Sequence, residues 1–378
     1  MVNSVLVLGG YGAFGSRVCE LLARSPDLKV YVAGRRLAKA TETVRRLETA
    51  SLEAVALDRD ALDGITAFLR ANRPTVVIDA IGPYQGRDYR LPELVAQHGA
   101  HSLDLADDRN YVVGITSLNA RAESRGVLIA SGASTVPALS TAVVDRLLED
   151  LDSLESVDIG ISPGHRSPRG LSTIRSVLSY CGKPIPAVAP AHLAVRRGWG
   201  GLVRHQYPPP VGGRWLSNVD LPDSALLPQR YPGVESVQLR AGLELSVLHL
   251  GLSFLSVLVA HRMISGLMPA SGLARVLTRV LDPFGSDTGA MHVAVVGSQG
   301  SRRYRRHWAI VADRNHGSYI PATASALLAK RLCGVDGYAP LTARGARPCV
   351  GLLNLEEFML ELKGFEIRTV MHDELLPG

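Results

Sequence analysis

The sequence is poor in the residues that build cross-linked or metal-binding proteins. Its 378 residues include four cysteines, at positions 19, 181, 333 and 349, and no two of them form a CxxC pair. Neither a disulfide framework nor a metal site is therefore expected, and a reducing, cytoplasmic location fits best. The first residues also lack the basic region and cleavage site of a secretory signal, so we expect no export.

Lysine is scarce as well. Only five of the 41 basic residues are lysines, and the net charge is +6. The arginines are scattered along the chain, and their densest group, at 302–306, falls in a predicted hairpin without the aromatic motifs of nucleic-acid-binding proteins. We therefore expect a small-molecule substrate and no nucleic-acid partner.

Glycine, by contrast, is concentrated near the start. An apolar run at residues 5–8 is followed by four glycines within seven positions, three of which match GxGxxG. Such a turn can join any strand to a helix, but here residues 13–24 have helical spacing and residues 29–33 resemble a second strand. This order predicts a dinucleotide site, with the pyrophosphate at the helix N-terminus. Its predicted cofactor-binding residues are Gly10, Gly12, Ala13, Phe14 and Gly15.

The end of the second strand lacks an acidic residue. An acid there holds the ribose 2′-hydroxyl of NAD, whereas residues 29–41 contain none and place Arg35 and Arg36 at that point. Two guanidiniums can pair with a 2′-phosphate. The pattern therefore predicts NADP, the alternative being that one or both arginines point into solvent at a helix start.

The first domain continues as alternating strands and helices. Helices are predicted at 38–47, 62–71 and 91–97, and strands at 53–57, 75–80, 101–105 and 127–130. This pattern predicts an α/β fold with a Rossmann-type doubly wound parallel sheet. Ligands bind beyond the carboxyl ends of such strands. Asp58, Gly82, Pro83 and Tyr84 should therefore face the cofactor. Asp104, Asp107 and Asp108 follow the fifth strand, and the last two could instead be helix N-caps.

Several of these stretches carry a family resemblance. GGYGAFG, VAGRR, VIDAIGPY, VAQHGAHSLDLADD and SGASTVPALS together resemble the saccharopine dehydrogenase-like oxidoreductases, specifically the group defined by its NADP-binding domain. The resemblance covers about the first 150 residues well. It implies that the turn at Gly82 and Pro83 lies beside the nicotinamide and that the strand ending at Asp104 leads into the same cleft. It also implies NADP(H)-dependent redox chemistry, and it leaves the substrate open.

The second half has a different pattern. A linking helix is predicted at 139–148, followed by strands at 157–162, 192–197, 234–242, 291–296 and 304–312. Residues 208–213 are expected to form an irregular excursion, and helices are predicted at 322–332 and 355–362. We therefore predict an NADP-binding domain at residues 1–138 and an α+β substrate and dimerisation domain with a mixed sheet at 139–319. The helices of 320–378 could return to the first domain.

The longest apolar segment, residues 243–268, has the length of a membrane span. Glu244, His249 and His261 argue against one, and the clean part at 250–260 is about half of the ~20 residues required. We favour a buried core helix or a homodimer helix, in which these polar side chains need partners. A peripheral helix in contact with lipid is the alternative.

The proton donor for hydride transfer is the least defined feature. Tyr84, Asp104 and Lys183 are the predicted catalytic residues, and His101 at the far end of its strand is expected to be structural. Further candidates lie in two loops of the second half: His165, Arg169, Tyr180 and Cys181. No tyrosine has a lysine four positions on, which excludes short-chain dehydrogenase chemistry. The prediction is an NADPH-dependent reductase acting on a C=N, C=O or C=C bond, with an apolar enone or ketone at least as plausible as an amino acid. The rival hypothesis is a catalytically silent dinucleotide-binding scaffold or sensor, in contact with lipid or free of it.

Overall fold

The computed structural model describes residues 3–168, 170–186 and 196–377. The chain folds as two compact units. Unit 1 comprises Met1–Leu139 and Ser318–Leu362, and unit 2 comprises Ser140–Gly317 and Lys363–Gly378. The chain thus leaves unit 1, forms most of unit 2, returns to unit 1 and ends in unit 2.

Unit 1 is built on a sheet of seven parallel strands, which confirms the predicted α/β fold with a Rossmann-type sheet. The spatial order is β13-β6-β5-β4-β1-β2-β3. The strands are β1 (Ser4–Leu8), β2 (Lys29–Gly34), β3 (Leu52–Ala56), β4 (Val76–Asp79), β5 (His101–Asp104), β6 (Leu128–Ser131) and β13 (Gly345–Pro348). The central strands are continuous apolar runs because helices cover both faces of such a sheet. All five residues of β1 are buried.

Short helices connect these strands. They are α1 (Gly15–Leu22), α2 (Leu37–Leu47), α3 (Leu62–Asn72), α4 (Arg90–Gln97), α5 (Arg109–Gly114), α6 (Asn119–Ser124), α12 (Ile320–Cys333) and α13 (Leu355–Glu361). Helix α12, which packs on α1, is rich in alanine, and eleven of its fourteen residues are buried. Its one buried cation, Lys330, pairs with Glu361 at 2.8 Å and with Asp336 at 3.1 Å. These ion pairs hold parts of the returning segment together, and the packing of α12 on α1 attaches that segment to the rest of unit 1.

Unit 2 contains the predicted mixed sheet, also of seven strands. Their order is β14-β12-β11-β7-β10-β9-β8, and β7 pairs with β10 in parallel while the other pairs are antiparallel. The strands are β7 (Ser153–Ser162), β8 (Val203–Tyr207), β9 (Gly212–Asn218), β10 (Ser236–Ala241), β11 (Gly289–Gln299), β12 (Arg302–Ala312) and β14 (Ile367–Leu376). The helices are α7 (Ser140–Leu147), α8 (Leu171–Ser179), α9 (Asp223–Arg230), α10 (Ser246–Ala260) and α11 (Ser271–Val280).

Two expectations for the second half were wrong, and a third concerns residues that the structure mostly does not describe. The proline- and glycine-rich residues 208–213 are not an irregular excursion, because they form the turn and first residues of the hairpin that joins β8 to β9. Ile367–Leu376 forms strand β14 at the edge of this sheet, so this part of 320–378 is not helical. The strand predicted at 192–197 lies mostly outside the described residues.

The apolar segment forms one helix of fifteen residues, α10, followed by short turns. Among the residues that the structure describes, no helix has both the length and the apolar character to cross a membrane.

Candidate functional site

The glycine turn after β1 is tightly folded. Gly9 and Gly10 both donate their backbone N–H to the Ala33 carbonyl of β2, at 2.9 and 3.0 Å, and Gly12 donates to Gly9 at 2.7 Å. A Cβ at Gly15 would lie 2.2 Å from the Gly9 carbonyl oxygen, so the helix can approach the strand this closely only with glycine there. The GxGxxG glycines therefore provide the tight turn and the close approach of helix to strand that dinucleotide binding requires.

Helix α1 begins at this turn with unpaired backbone donors. The N–H groups of Ala13, Phe14 and Gly15 have no acceptor within the described ranges, and Phe14 at the N-cap supplies no side-chain bond. Free N–H groups at a helix N-terminus carry partial positive charge and suit a phosphate. The predicted pyrophosphate-binding residues thus lie together in one compact loop whose free N–H groups suit an anion.

The two arginines lie at the far end of β2, next to this loop. The Tyr11 ring occupies the space beside Gly34, and its hydroxyl accepts the backbone N–H of Arg36 at 3.2 Å. Arg35 and Arg36 are exposed, and neither guanidinium has a hydrogen-bond or ion-pair partner in the part of the chain that the structure describes. Two uncommitted guanidiniums and no acid fit the 2′-phosphate of NADP.

A buried charged cluster underlies the carboxyl ends of the next strands. Asp79 ends β4 and lies directly opposite Asp104, which ends β5. The Asp79 carboxylate accepts Arg59 Nε at 2.6 Å and the backbone N–H of Ile81 at 3.1 Å. Burial raises the pKa of Asp79, although the Arg59 guanidinium opposes the rise. Sequence reasoning missed Arg59 and Asp79, although Asp79 stands within VIDAIGPY.

Asp104 is the most heavily hydrogen-bonded carboxylate of this cluster. Its Oδ1 accepts the backbone N–H of Gly132 at 2.9 Å, the Ser131 hydroxyl at 2.9 Å and the backbone N–H of Ala106 at 3.0 Å. Burial nevertheless raises the pKa of Asp104 to about 7. The carboxylate joins the end of β5 to the turn after β6, so its geometry supports a structural role at least as strongly as a proton-transfer role.

Tyr84 lies in the same cluster, and its hydroxyl already has a partner. It donates to the Asp79 backbone carbonyl at 2.7 Å, and its ring packs on Tyr111 with centroids 5.3 Å apart. Burial raises the pKa of Tyr84 well above its usual value. The side chain therefore closes the turn that contains Gly82 and Pro83, both of which are half-buried.

Three of the other predicted residues accept hydrogen bonds from backbone N–H groups, and the fourth, Lys183, is an exposed cation. Asp58 is half-buried and accepts the backbone N–H of Asp60 at 3.1 Å. Asp108 caps α5 by accepting the Tyr111 N–H at 2.8 Å, and His101 Nδ1 accepts the Leu128 N–H at 2.8 Å. Lys183 is exposed in unit 2, whereas Tyr84 and Asp104 belong to unit 1.

The loop candidates of unit 2 are mostly committed to its own structure. His165 is buried, and its Nε2 lies 2.8 Å from the Thr278 carbonyl. Cys181 is buried, and burial raises the pKa of its thiol to about 12, which makes it a poor nucleophile. Arg169 lies outside the described residues. In the described ranges, no group of three or more histidine, cysteine or acidic side chains could hold a metal ion.

The fold and the loop define an NADP-binding domain of the dehydrogenase class. Residues 5–130 match the family model described as the saccharopine dehydrogenase NADP binding domain. The chain therefore contains, over residues 5–130, a domain of the saccharopine dehydrogenase NADP-binding type, as the sequence motifs predicted. The matched model describes an NADP-binding domain, which confirms the prediction of NADP as the cofactor.

Solved structures resemble the chain over most of its length. An apo saccharopine dehydrogenase (L-Glu forming) from Saccharomyces cerevisiae has 13% identity and a TM-score of 0.67, covering 98% of this chain and 100% of its own. An amine dehydrogenase from Mycobacterium smegmatis has 10% identity and a TM-score of 0.49, covering 92% and 94%. A meso-dapdh mutant from Clostridium tetani E88 has 10% identity and a TM-score of 0.47, covering 94% and 95%. At 13% identity the likeness to the yeast enzyme shows a shared fold alone.

Proposed function

We propose that the protein transfers hydride between NADP(H) and a C=N, C=O or C=C bond of a small molecule. The observation that carries this proposal is the combination of three features: a helix N-terminus without a side-chain cap, two arginines that have no partner among the described residues, and no acid at the end of β2. A reduced nicotinamide supplies the hydride when bound, and the chain must position both reactants.

Different residues of unit 1 would bind different parts of the cofactor. The N–H groups of Ala13, Phe14 and Gly15 would hold the pyrophosphate, and the two guanidiniums would hold the 2′-phosphate. Asp58, Gly82 and Pro83 stay predicted cofactor contacts. The Asp79–Arg59 pair would fix the turn at Gly82, because Asp79 binds both Arg59 and the backbone of that turn.

The proton-transfer residue stays a prediction, and the geometry separates the three candidates. Tyr84 and Asp104 are committed to backbone groups of their own cluster. Lys183 is exposed, so its ammonium is available to a reactant. If Lys183 transfers the proton, Lys183→Met should lower kcat with little change in the affinity for NADPH. If Tyr84 is only structural, Tyr84→Phe should leave kcat nearly unchanged and lower the free energy of unfolding by about 1 kcal/mol, since it loses one hydrogen bond.

Cofactor choice is tested by calorimetry on the full chain. NADPH should bind more tightly than NADH, and the Arg35→Ala/Arg36→Ala variant should lose roughly 2 to 4 kcal/mol of NADPH binding while NADH binding changes little. Arg45→Ala/Arg46→Ala is the matched control, because it removes two exposed arginines from the other end of the same helix. Equal affinity for both nucleotides in the unmodified protein would contradict the assignment of the arginines.

Turnover is tested with NADPH and a panel of imines, ketones and enones, including apolar ones. Oxidation of NADPH with at least one class supports the proposal. Tight NADPH binding without turnover on any class would favour the catalytically silent scaffold.

The quaternary structure and location stay predictions from the sequence. A homodimer through the segment at 243–268 and a cytoplasmic location were both expected. The homodimer competes with a lipid contact for the same helix, and light scattering combined with vesicle binding distinguishes them.

A further inference from the structure

Unit 2 exposes a concentration of large apolar side chains on helices α10 and α11 and on the turns beside them. Of nineteen exposed large hydrophobic residues in the described ranges, twelve lie between positions 247 and 284. We call these twelve the apolar face: Val247, Leu250, Phe254, Leu255, Val257, Met263, Met268, Leu273, Val276, Leu277, Val280 and Phe284. A monomer rarely exposes apolar residues at this density without a binding partner.

The exposed positions follow helical periodicity. On α10 they lie at 247, 250, 254, 255 and 257, and on α11 at 273, 276, 277 and 280. Phe254 is 63% exposed, Leu273 62% and Phe284 75%. Each helix therefore presents one apolar side outward along its length, as an interfacial helix does.

The opposite side of α10 is firmly attached to unit 2. His249 is fully buried, with one ring nitrogen 3.0 Å from the Ser217 hydroxyl and the other accepting the Leu243 N–H at 3.1 Å. Ser256 donates to the Gly198 carbonyl at 2.8 Å. Because these polar groups are satisfied inside the fold, α10 cannot rotate its outward side into the core without leaving them unpaired. The exposure of Phe254 is a property of the folded unit.

The charge of the segment selects its partner. Between Val247 and Phe284 the chain has three exposed arginines, Arg262, Arg275 and Arg279, and one acid, Asp282, so this stretch has a net charge of +2. A second copy of the segment would bring the same positive charge to the contact, and like charges across an interface oppose association. An anionic lipid surface offers apolar depth and complementary charge together, and each arginine near it adds to the attraction.

We propose that the apolar face docks on an anionic lipid surface, with α10 and α11 lying in the interface plane. This inference goes beyond the proposed redox function, because it concerns where the enzyme works rather than which bond it reduces. At 1.5 Å per residue the fifteen residues of α10 span roughly 22 Å, less than the ~30 Å hydrocarbon core. The contact is therefore peripheral and reversible.

The test is cosedimentation of the full chain with vesicles of phosphatidylcholine alone or with about a third of phosphatidylglycerol. Binding should be at least about tenfold tighter to the anionic vesicles and should weaken with added salt. Phe254→Ser/Leu273→Ser/Val276→Ser should reduce binding to both vesicle types by at least about tenfold, since it removes inserted apolar area. Arg275→Glu/Arg279→Glu should abolish the preference for anionic vesicles.

Two variants serve as controls. Leu360→Ser removes an apolar side chain of similar exposure, 59%, from unit 1, and Arg302→Glu reverses an exposed charge on the β11–β12 hairpin of unit 2. Both should bind vesicles like the unmodified protein. Unchanged tryptophan fluorescence of every variant verifies the fold of unit 2, because Trp199, Trp215 and Trp308 all lie there.

Three results would overturn the proposal. They are failure of the unmodified protein to bind either vesicle, vesicle binding by the apolar variant at full strength, and equal binding to neutral and anionic vesicles. A dimer that the apolar variant converts to a monomer, without vesicle binding by the unmodified protein, would assign the face to a second copy instead.

Discussion

Asp104 offers the clearest separation between a structural and a catalytic residue. Replacing it by alanine removes the acceptor of three donors, namely the Gly132 and Ala106 amides and the Ser131 hydroxyl. An unsatisfied buried amide costs about 1 to 3 kcal/mol, whereas the serine can rotate toward another acceptor. We therefore expect Asp104→Ala to lower the free energy of unfolding of unit 1 by roughly 3 to 5 kcal/mol. Asp104→Asn keeps an oxygen at the same place and should cost about 1 kcal/mol or less.

The pH dependence of the same comparison tests the protonation state. Burial raises the pKa of Asp104 to about 7 in the folded protein, from 3.8. Between these values the folded state retains a proton that the unfolded state has lost. The stability from this group is therefore complete below about pH 4 and falls as pH rises toward 7, by up to about 1.4 kcal/mol per pH unit. The asparagine variant cannot ionise and should lack this component.

Urea unfolding between pH 5 and 8 measures both effects. Far-UV circular dichroism follows the whole chain, tryptophan fluorescence follows unit 2, and hydrogen exchange of peptides covering residues 100–133 follows the cluster itself. The reasoning is refuted if asparagine destabilises as much as alanine, or if the difference between unmodified protein and asparagine variant is constant with pH. Loss of turnover in a stable Asp104→Asn variant with normal NADPH affinity would instead assign the residue to proton transfer.

Three further perturbations test other parts of the molecule. Gly15→Ala places a Cβ 2.2 Å from the Gly9 carbonyl oxygen and should weaken NADPH binding at least about tenfold by calorimetry, because the glycine turn after β1 must open. Gly64→Ala, with no atom within 4 Å of the new Cβ and a place in α3, should leave affinity unchanged and raise stability by about 0.5 to 1 kcal/mol. Arg59→Met leaves the Asp79 carboxylate buried without its cation and should cost about 3 to 5 kcal/mol in urea unfolding, and an added Asp79→Asn that recovers none of this would contradict the pairing. Burial lowers the pKa of His101, His205 and His249 to about 4, so the stability that depends on their neutral forms is complete above pH 6.5. It should fall as pH drops toward 4, by up to about 1.4 kcal/mol per pH unit for each histidine, and a flat stability profile over this range would refute that origin.

Unit 1 was predictable because its signals are local. A continuous apolar run, a glycine turn and a helical repeat follow one another within thirty residues of β1, and each limits the backbone independently. The strand of unit 1 that sequence reasoning missed is β13, whose four residues include an arginine and a proline. Its pairing with β6 depends on a segment more than two hundred residues away along the chain, and no local pattern encodes such a contact.

The buried cluster shows a second limit. Asp104 stood out in the sequence because an acid at a strand end resembles a catalytic group. What the sequence did not indicate is that its oxygen would be surrounded by donors from the turn after β6, nearly thirty residues later. The sequence did not indicate the pair of Arg59 and Asp79 for the same reason. It is a tertiary contact between the loop after β3 and the end of β4.

Helix α10 shows why satisfied polar groups do not decide whether a helix is buried. The sequence predicted that Glu244 and His249 would need partners, and the structure supplies them: the Glu244 carboxylate accepts the His165 N–H at 2.6 Å and contacts Arg214 at 3.1 Å. Those partners fix one side of the segment only. The apolar residues between them repeat with the helical period, so some must lie on the other side, and Phe254 does. A polar residue in an apolar helix thus identifies the side that faces the protein, and the charge around the remaining side then determines what can cover it.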